Sequence, residues 1–184
     1  MPLRAVLPLL AALWLAAAAA AWAASPQDLA RARAQFDALD YAGAEQTARS
    51  ALAGITPDQA DATALRLMAV QARALTRQGK RAEAARLREA ILPRMERVLG
   101  PYDLDVLGEW RALGVQYSLL GRPDEALATV RRAAAQARAG TGPDSEATLT
   151  AELSLAQQEV VRGDPGPPAT LALDVLARAR RAGL

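Results

Sequence analysis

The sequence contains no cysteine, no histidine and no asparagine, and Lys80 is the only lysine among 22 basic residues. Without cysteine there are no disulfides, no thiolate nucleophile and no sulfur-ligated metal. Without histidine the usual general base near neutral pH and the commonest metal ligand are both missing. A Ser–Lys pair would have to join Lys80 to Ser50, Ser118, Ser145 or Ser154, and no spacing suggests it. Gly79-Lys80 follows no strand and lacks the upstream glycine of a phosphate loop. The acidic pairs Asp103/Asp105 and Asp144/Glu146 stand where helices begin, where carboxylates cap free amides and favour the positive end of the helix dipole. These gaps argue against an enzyme, and no cofactor or metal site is implied. Aromatics are also few, with one Phe, three Trp and three Tyr, so Leu, Ala and Val must fill the core. Small side chains of that kind allow helices to approach closely.

Charge of either sign is not in excess. The 22 basic residues face 20 acidic ones, and loss of Arg4 with a leader leaves 21 against 20. The preference for Arg and Ala is compositional, as in GC-rich coding, and calls for no nucleic-acid partner. The N-terminus reads as a signal peptide over residues 1–23. Arg4 precedes an apolar run from Ala5 to Ala21, Ala21-Trp22-Ala23 has the small-x-small form of a cleavage site, and Ser25-Pro26 opens the remaining chain. Export to the periplasm or the exterior is the expectation, with an uncleaved membrane anchor as the alternative. No cysteine follows the run, which excludes a lipoprotein, and no other segment is suited to membrane insertion.

What is present is a repeat. Leu65, Leu107 and Leu149 are in step at 42 residues, as are Ala72, Gly114 and Ala156, and Gly79, Gly121 and Gly163. Val, Ile and Thr form no alternating strand pattern, so residues 25–184 read as helical hairpins over about 26–53, 57–99, 102–139 and 144–182. The last helix is expected from Ala169 to Arg181. The three glycines fall where a helix stops and reverses, which requires a left-handed residue. Gly114 and its partners mark a close helix crossing. Trp110, Leu113 and Tyr117 share one face at i, i+3 and i+7, and Leu127, Val130 and Ala134 are expected to answer from the following helix. A hairpin alone leaves apolar surface bare, so neighbours must stack.

Trp110, Leu113, Gly114, Tyr117 and Ala126, with Gly121 between them, match the tetratricopeptide-repeat (TPR) signature. The 42-residue period exceeds the usual 34. With Leu99-Gly100-Pro101-Tyr102 and Gly140-Thr141-Gly142-Pro143-Asp144, it resembles the longer repeats of the kinesin-light-chain type, also common in bacterial proteins. The likeness covers about 100 residues, from Thr56 to Gly163. In the second repeat Met68, Gln71 and Leu75 replace Trp, Leu and Tyr. In the fourth, Glu152 and Glu159 take the Trp and Tyr places and Pro168 the small-residue place, which reads as a polar capping unit. In the first, Leu29, Phe36 and Ala44 fit only if the turn is one residue shorter.

The resemblance implies an all-α, right-handed solenoid of about four hairpins that binds a peptide or partner protein in the groove lined by the first helices. The family's carboxylate clamp of Asn and Lys is not carried over, because there is no Asn and Lys80 lies in a turn. Groove candidates are Arg66, Arg73, Arg111, Gln116 and Ser118. A second candidate is a basic patch around Arg86 and Arg88, since residues 73–97 hold eight basic against three acidic side chains. Residues 103–125 carry the opposite balance, five acidic against two basic, so attraction across the stack or local pairs such as Glu83 with Arg86 would also account for these charges. The alternative to groove binding is a structural subunit that self-associates through the ends of the stack or docks by its edge in an envelope complex.

Overall fold

The computed structural model describes residues 24–163 and 166–184, so the expected leader lies outside the described residues. Those residues contain eight helices and no strand: α1 Pro26–Asp37, α2 Tyr41–Ala51, α3 Ala62–Arg77, α4 Arg81–Leu99, α5 Leu104–Leu119, α6 Pro123–Thr141, α7 Glu146–Val161 and α8 Gly166–Ala182. Consecutive helices pack as antiparallel pairs, and α1 also touches α3, α3 touches α5, and α5 touches α7. First helices therefore line one side of the stack and second helices the other. No described helix is long and apolar enough to cross a membrane.

Local chemistry sets the punctuation. Asp61, Asp103 and Ser145, again 42 residues apart, cap α3, α5 and α7 by accepting from Ala64, Asp105 and Thr148 amides. Gly79, Gly121 and Gly163 hold φ of 80°, 74° and 92° between the two helices of a hairpin. The first hairpin differs from expectation. Its turn has the same length as those of the second and third hairpins, and Leu39 takes the glycine position with φ 65°. Counting back from that turn, Ala32 rather than a shifted residue meets the register of Ala72, Gly114 and Ala156, and all four are buried. Gln35, not Phe36, then stands at the tyrosine place and accepts from the Thr47 hydroxyl at 2.7 Å. Phe36 instead stacks obliquely on Tyr41, ring centroids 5.2 Å apart.

The crossing at Gly114 is tight. A Cβ there would lie 2.5 Å from Val130 Cγ1 and 3.2 Å from the Ala126 carbonyl oxygen. Val130 thus answers Gly114, whereas Ala134 packs with Leu107, Ala137 and Ala151. Leu113 and Tyr117 turn the other way, into Ala85 and Leu92 of α4 as well as Ala126. The aromatic face of α5 is accordingly an interface with the preceding hairpin more than with its own second helix.

The last hairpin corrects two expectations. Helix α8 starts at Gly166, so Pro167 and Pro168 fall in its first turn, where a missing amide proton breaks no helical bond. Nor is this hairpin a polar cap. Glu152 is buried and ion-paired with buried Arg178, whose Nη1 also donates to the Pro143 carbonyl at 2.6 Å. Burial would weaken this guanidinium, but its bond to Glu152, the leading influence, holds its proton more firmly than usual. The large apolar side chains Leu153, Val160, Leu173 and Leu176 face solvent instead.

Candidate functional site

The groove side of α3 and α5 is tied together by ions. Arg66 reaches Asp103 through Nη2 at 2.8 Å and Asp105 through Nε at 3.1 Å. One turn pair further along α3, Arg73 meets Asp105 at 3.0 Å and Glu109 at 2.5 Å. Arg33 of α1 adds a third contact to Asp105 at 3.3 Å. Burial pushes the Asp105 carboxyl up, yet the bonds from Arg73 and Arg66 and the nearby Arg33 charge hold it below the usual carboxylate range.

Behind this row lies a buried network. Arg88 and Glu109 are each 1% exposed and bond at 2.7 Å. Arg88 Nη1 and Gln116 Nε2 both donate to Thr76 Oγ1, at 3.0 and 2.9 Å, while that hydroxyl donates to the Ala72 carbonyl at 2.8 Å. With its proton and both lone pairs used, Thr76 fixes the orientation of the Gln116 amide. Gln116 Oε1 is left buried without a partner among the described residues.

These contacts relocate several of the sequence candidates. Arg88 is not part of a surface patch; it is a core cation at the α4–α5 interface, while Arg86 stays exposed and forms no ion pair among the described residues. The i,i+3 pair between Glu83 and Arg86 does not form either. Cancellation of the basic stretch by the acidic one runs across the stack. Arg66 and Arg73 spend their guanidinium groups on α5, and Gln116 is buried rather than displayed. Ser118 is half-buried and lies outside both clefts described below. Arg111 alone of the groove arginines is half-buried with no ion pair among the described residues.

The opposite side of the same interface uses aromatics. Tyr117 donates to Glu89 at 2.9 Å and Trp110 Nε1 donates to Glu96 at 2.9 Å. An arginine of the third hairpin covers each ring: Arg122 lies 4.1 Å above Tyr117 and Arg132 lies 4.0 Å above Trp110. Both also pair with the same glutamates, at 3.1 and 2.7 Å. Burial and the Glu89 carboxylate push the Tyr117 hydroxyl up to about 12. Burial opposes ionisation of Glu96, but bonds from Gln136, Trp110 and Arg132 keep its carboxyl low. Trp110, Leu113, Tyr117, Gly121 and Ala126 are therefore structural.

Two clefts open on the groove side. One, of about 520 Å³, lies among α1, α3 and α5 and is lined by Phe36, Arg77, Ala112, Val115 and Leu119 around the Arg73–Glu109 pair. The other, of about 400 Å³, lies between α5 and α7, with Leu107, Thr141, Ser145, Glu146, Thr150 and Ala151 on its walls. Gly108 and Arg111 border both. Gly108 occupies the position of Arg66 one repeat earlier, and nothing lies within 4 Å of where its Cβ would be. No group of three or more acidic side chains suited to a metal ion occurs among the described residues.

No family model matches this sequence, and no curated protein does. Solved structures do match in shape. BtubC (BKLC) from P. vanneervenii superposes with a TM-score of 0.68 at 17% identity, over 82% of this chain and 60% of that one. A Podosopora anserina protein with nearly identical TPR-like repeats of the kinesin-light-chain kind gives 0.68 at 19% identity, over 84% of this chain and 74% of its own. The fold is that of a TPR-like repeat protein. The chain thus spans about three-fifths of the first of these neighbours. At these identities the likeness concerns the TPR-like solenoid fold alone. The sequence signal for the ion rows was available: read at the 42-residue period, Arg66 and Arg73 recur as Gly108 and Val115, and Asp103, Asp105 and Glu109 as Ser145, Ala147 and Ala151.

Proposed function

We propose that the protein is a non-catalytic interaction scaffold that holds an extended segment of a partner protein along the groove, centred on Gly108 and Arg111. One observation carries this reading: two clefts meet at a glycine that leaves the groove floor bare, beside Arg111, which forms no ion pair among the described residues. Arg77, exposed on α3 and bordering the larger cleft, offers a second cation to the same segment. Main-chain length is accommodated along the first helices, and the two guanidinium groups select register.

The test is to pan a displayed random-peptide library against the full chain and to measure affinities of enriched peptides by fluorescence polarisation. Replacing Arg111 by Ala is expected to weaken binding about tenfold, the scale of a charge-assisted contact of ~1.4 kcal/mol. Gly108→Leu should abolish binding by filling both cleft mouths, while Arg86→Ala should leave it unchanged. Peptides that bind all three variants as they bind the parent would place the site elsewhere. Export belongs to the same proposal, and fractionation of cells that produce the full chain tests it: recovery in the cytoplasm with the leader retained would overturn it.

A further inference from the structure

The repeat register gives the last hairpin a definite outgoing face. Glu89 and Glu96 of α4 receive Tyr117 and Trp110 of α5. Forty-two residues on, Arg131 and Arg138 of α6 receive Glu159 and Glu152 of α7 at 3.1 and 2.6 Å, with the signs changed and the geometry kept. Another 42 residues on stand Leu173 and Arg180 of α8. Leu92, Ala134 and Leu176 share a register between these pairs, and only Leu176 is exposed. On the first helices Leu153 and Val160 follow Arg111 and Ser118 in the same way. The gripping positions of α4 and α6 are thus filled, in α8, by Leu173, Leu176 and Arg180, and the registers of Arg111 and Ser118 by Leu153 and Val160; these four apolar side chains are 42–68% exposed.

We propose that this face binds the same face of a second copy, forming a dimer with two-fold symmetry. The surface continues the stacking interface already present inside the chain, and its apolar content is what such an interface buries. The first hairpin is not its complement. Asp28, Arg31 and Gln35 of α1 stand at the register of Trp110, Leu113 and Tyr117, so head-to-tail growth would press a cationic Arg31 on the leucines. The remaining exposed large apolar residues, such as Leu39, Tyr102 and the adjacent Leu119 and Leu120, lie at or near helix ends.

Charge supports self-pairing. Helix α7 carries Glu146 in its first turn and α8 carries Arg180 and Arg181 in its last. Because the helices are antiparallel, these charges share one end of the hairpin, and Glu146 and Arg180 form no ion pair among the described residues. A two-fold axis parallel to the helices lays α7 on the second copy's α8 in antiparallel fashion. Leu153 then meets Leu173 and Leu176, and Glu146 meets Arg180, each contact made twice.

Sedimentation equilibrium of the full chain over a range of concentrations tests the arrangement. The expected result is a monomer–dimer equilibrium whose dissociation constant rises at least about a hundredfold in L173E/L176E, since burial of each leucine is lost on both sides. Glu146→Arg and Arg180→Glu should each weaken the dimer by about two- to five-fold, the scale of an exposed ion pair, and the combined swap should restore it. All four positions are solvent-facing, so circular dichroism should report unchanged helicity. A monomer at all concentrations, an association indifferent to L173E/L176E, or open-ended growth would overturn the proposal. Failure of the swap to restore pairing would overturn the antiparallel arrangement. Glu146 borders the smaller groove cleft, but Leu173 and Leu176 line neither cleft, so peptide affinity in L173E/L176E separates this inference from the scaffold reading.

Discussion

Two successive steps of the stack, α3 to α5 and α5 to α7, share a backbone register and solve the same packing problem with opposite chemistry. In the first step the gap between first helices is spanned by Arg66 and Arg73 reaching Asp103, Asp105 and Glu109. In the second the same positions carry Gly108 and Val115 facing Ser145, Ala147 and Ala151, and a cleft of about 400 Å³ remains. On the far side, Trp110 and Tyr117 with two glutamates become Glu152 and Glu159 with two arginines. A helical repeat therefore fixes where neighbours touch, and leaves open whether ions, aromatics or bare backbone meet there. The first step ties its first helices together with ions, and the second has no ion pair between its first helices among the described residues.

The largest expected effect comes from breaking the ionic step at its buried centre. Glu109→Ala leaves Arg88 inside the core without its carboxylate and strips Arg73 of one partner, at a cost of about 3–5 kcal/mol in urea unfolding. A loss under 1 kcal/mol would mean that Arg88 escapes to water and that the network is dispensable. The neighbouring step offers the control, because Ala151 at the equivalent place supports no buried charge.

Next in size is the crossing at Gly114. Gly114→Val should cost about 1–3 kcal/mol, since a side chain there meets Val130 and the α6 backbone. Ala72 and Ala156 accommodate a Cβ at the same register, so Ala72→Gly is expected to cost only about 1 kcal/mol, through helix propensity. Equal losses at the two positions would show that α5 and α6 separate freely.

Acid should act on the ionic step before the bare one. Asp105 titrates below its ordinary value, so its bonds to Arg73 and Arg66 contribute stability above pH 4 that is lost as pH falls through the lower folded-state value. In Asp105→Asn the fall of stability below pH 4, followed by circular dichroism, should be shallower; an unchanged slope would place the acid-sensitive groups elsewhere, with Glu96 next in line.

The smallest effect sharpens the contrast from the bare side. Gly108→Ala meets no atom within 4 Å and gains helix propensity, so stability should rise by about 0.5–1 kcal/mol. A drop would mean that the cleft is already closed in solution.

Much of the architecture was legible. The glycines at 79, 121 and 163 and the small residues at 72, 114 and 156 report backbone requirements, a reversal and a close crossing, and such requirements are local. The first hairpin was misread because Leu39 adopts a glycine conformation at φ 65°, and a leucine carries no signal of that in sequence. The polar cap was misread for another reason. Glu152 and Glu159 looked solvent-facing by type, but Arg138, Arg178 and Arg131 meet them inside or beside the interface, and those partners lie 14 to 28 residues away. Among the site candidates, Arg88 and Gln116 shared surface composition with Arg86 and Arg111 and could not be told from them until the α4–α5 interface was formed.

The sequence by itself determined the helical period, the caps, the turns and hence the TPR-like stack, because hydrogen-bonded helices and their ends answer to residues within a few positions of one another. Tertiary structure alone decided which charges were spent on the fold and which were left without an ion pair among the described residues. Whether an arginine is free depends on the carboxylates that an adjacent hairpin brings within about 3 Å of it, and that distance is set by packing between segments remote in the chain.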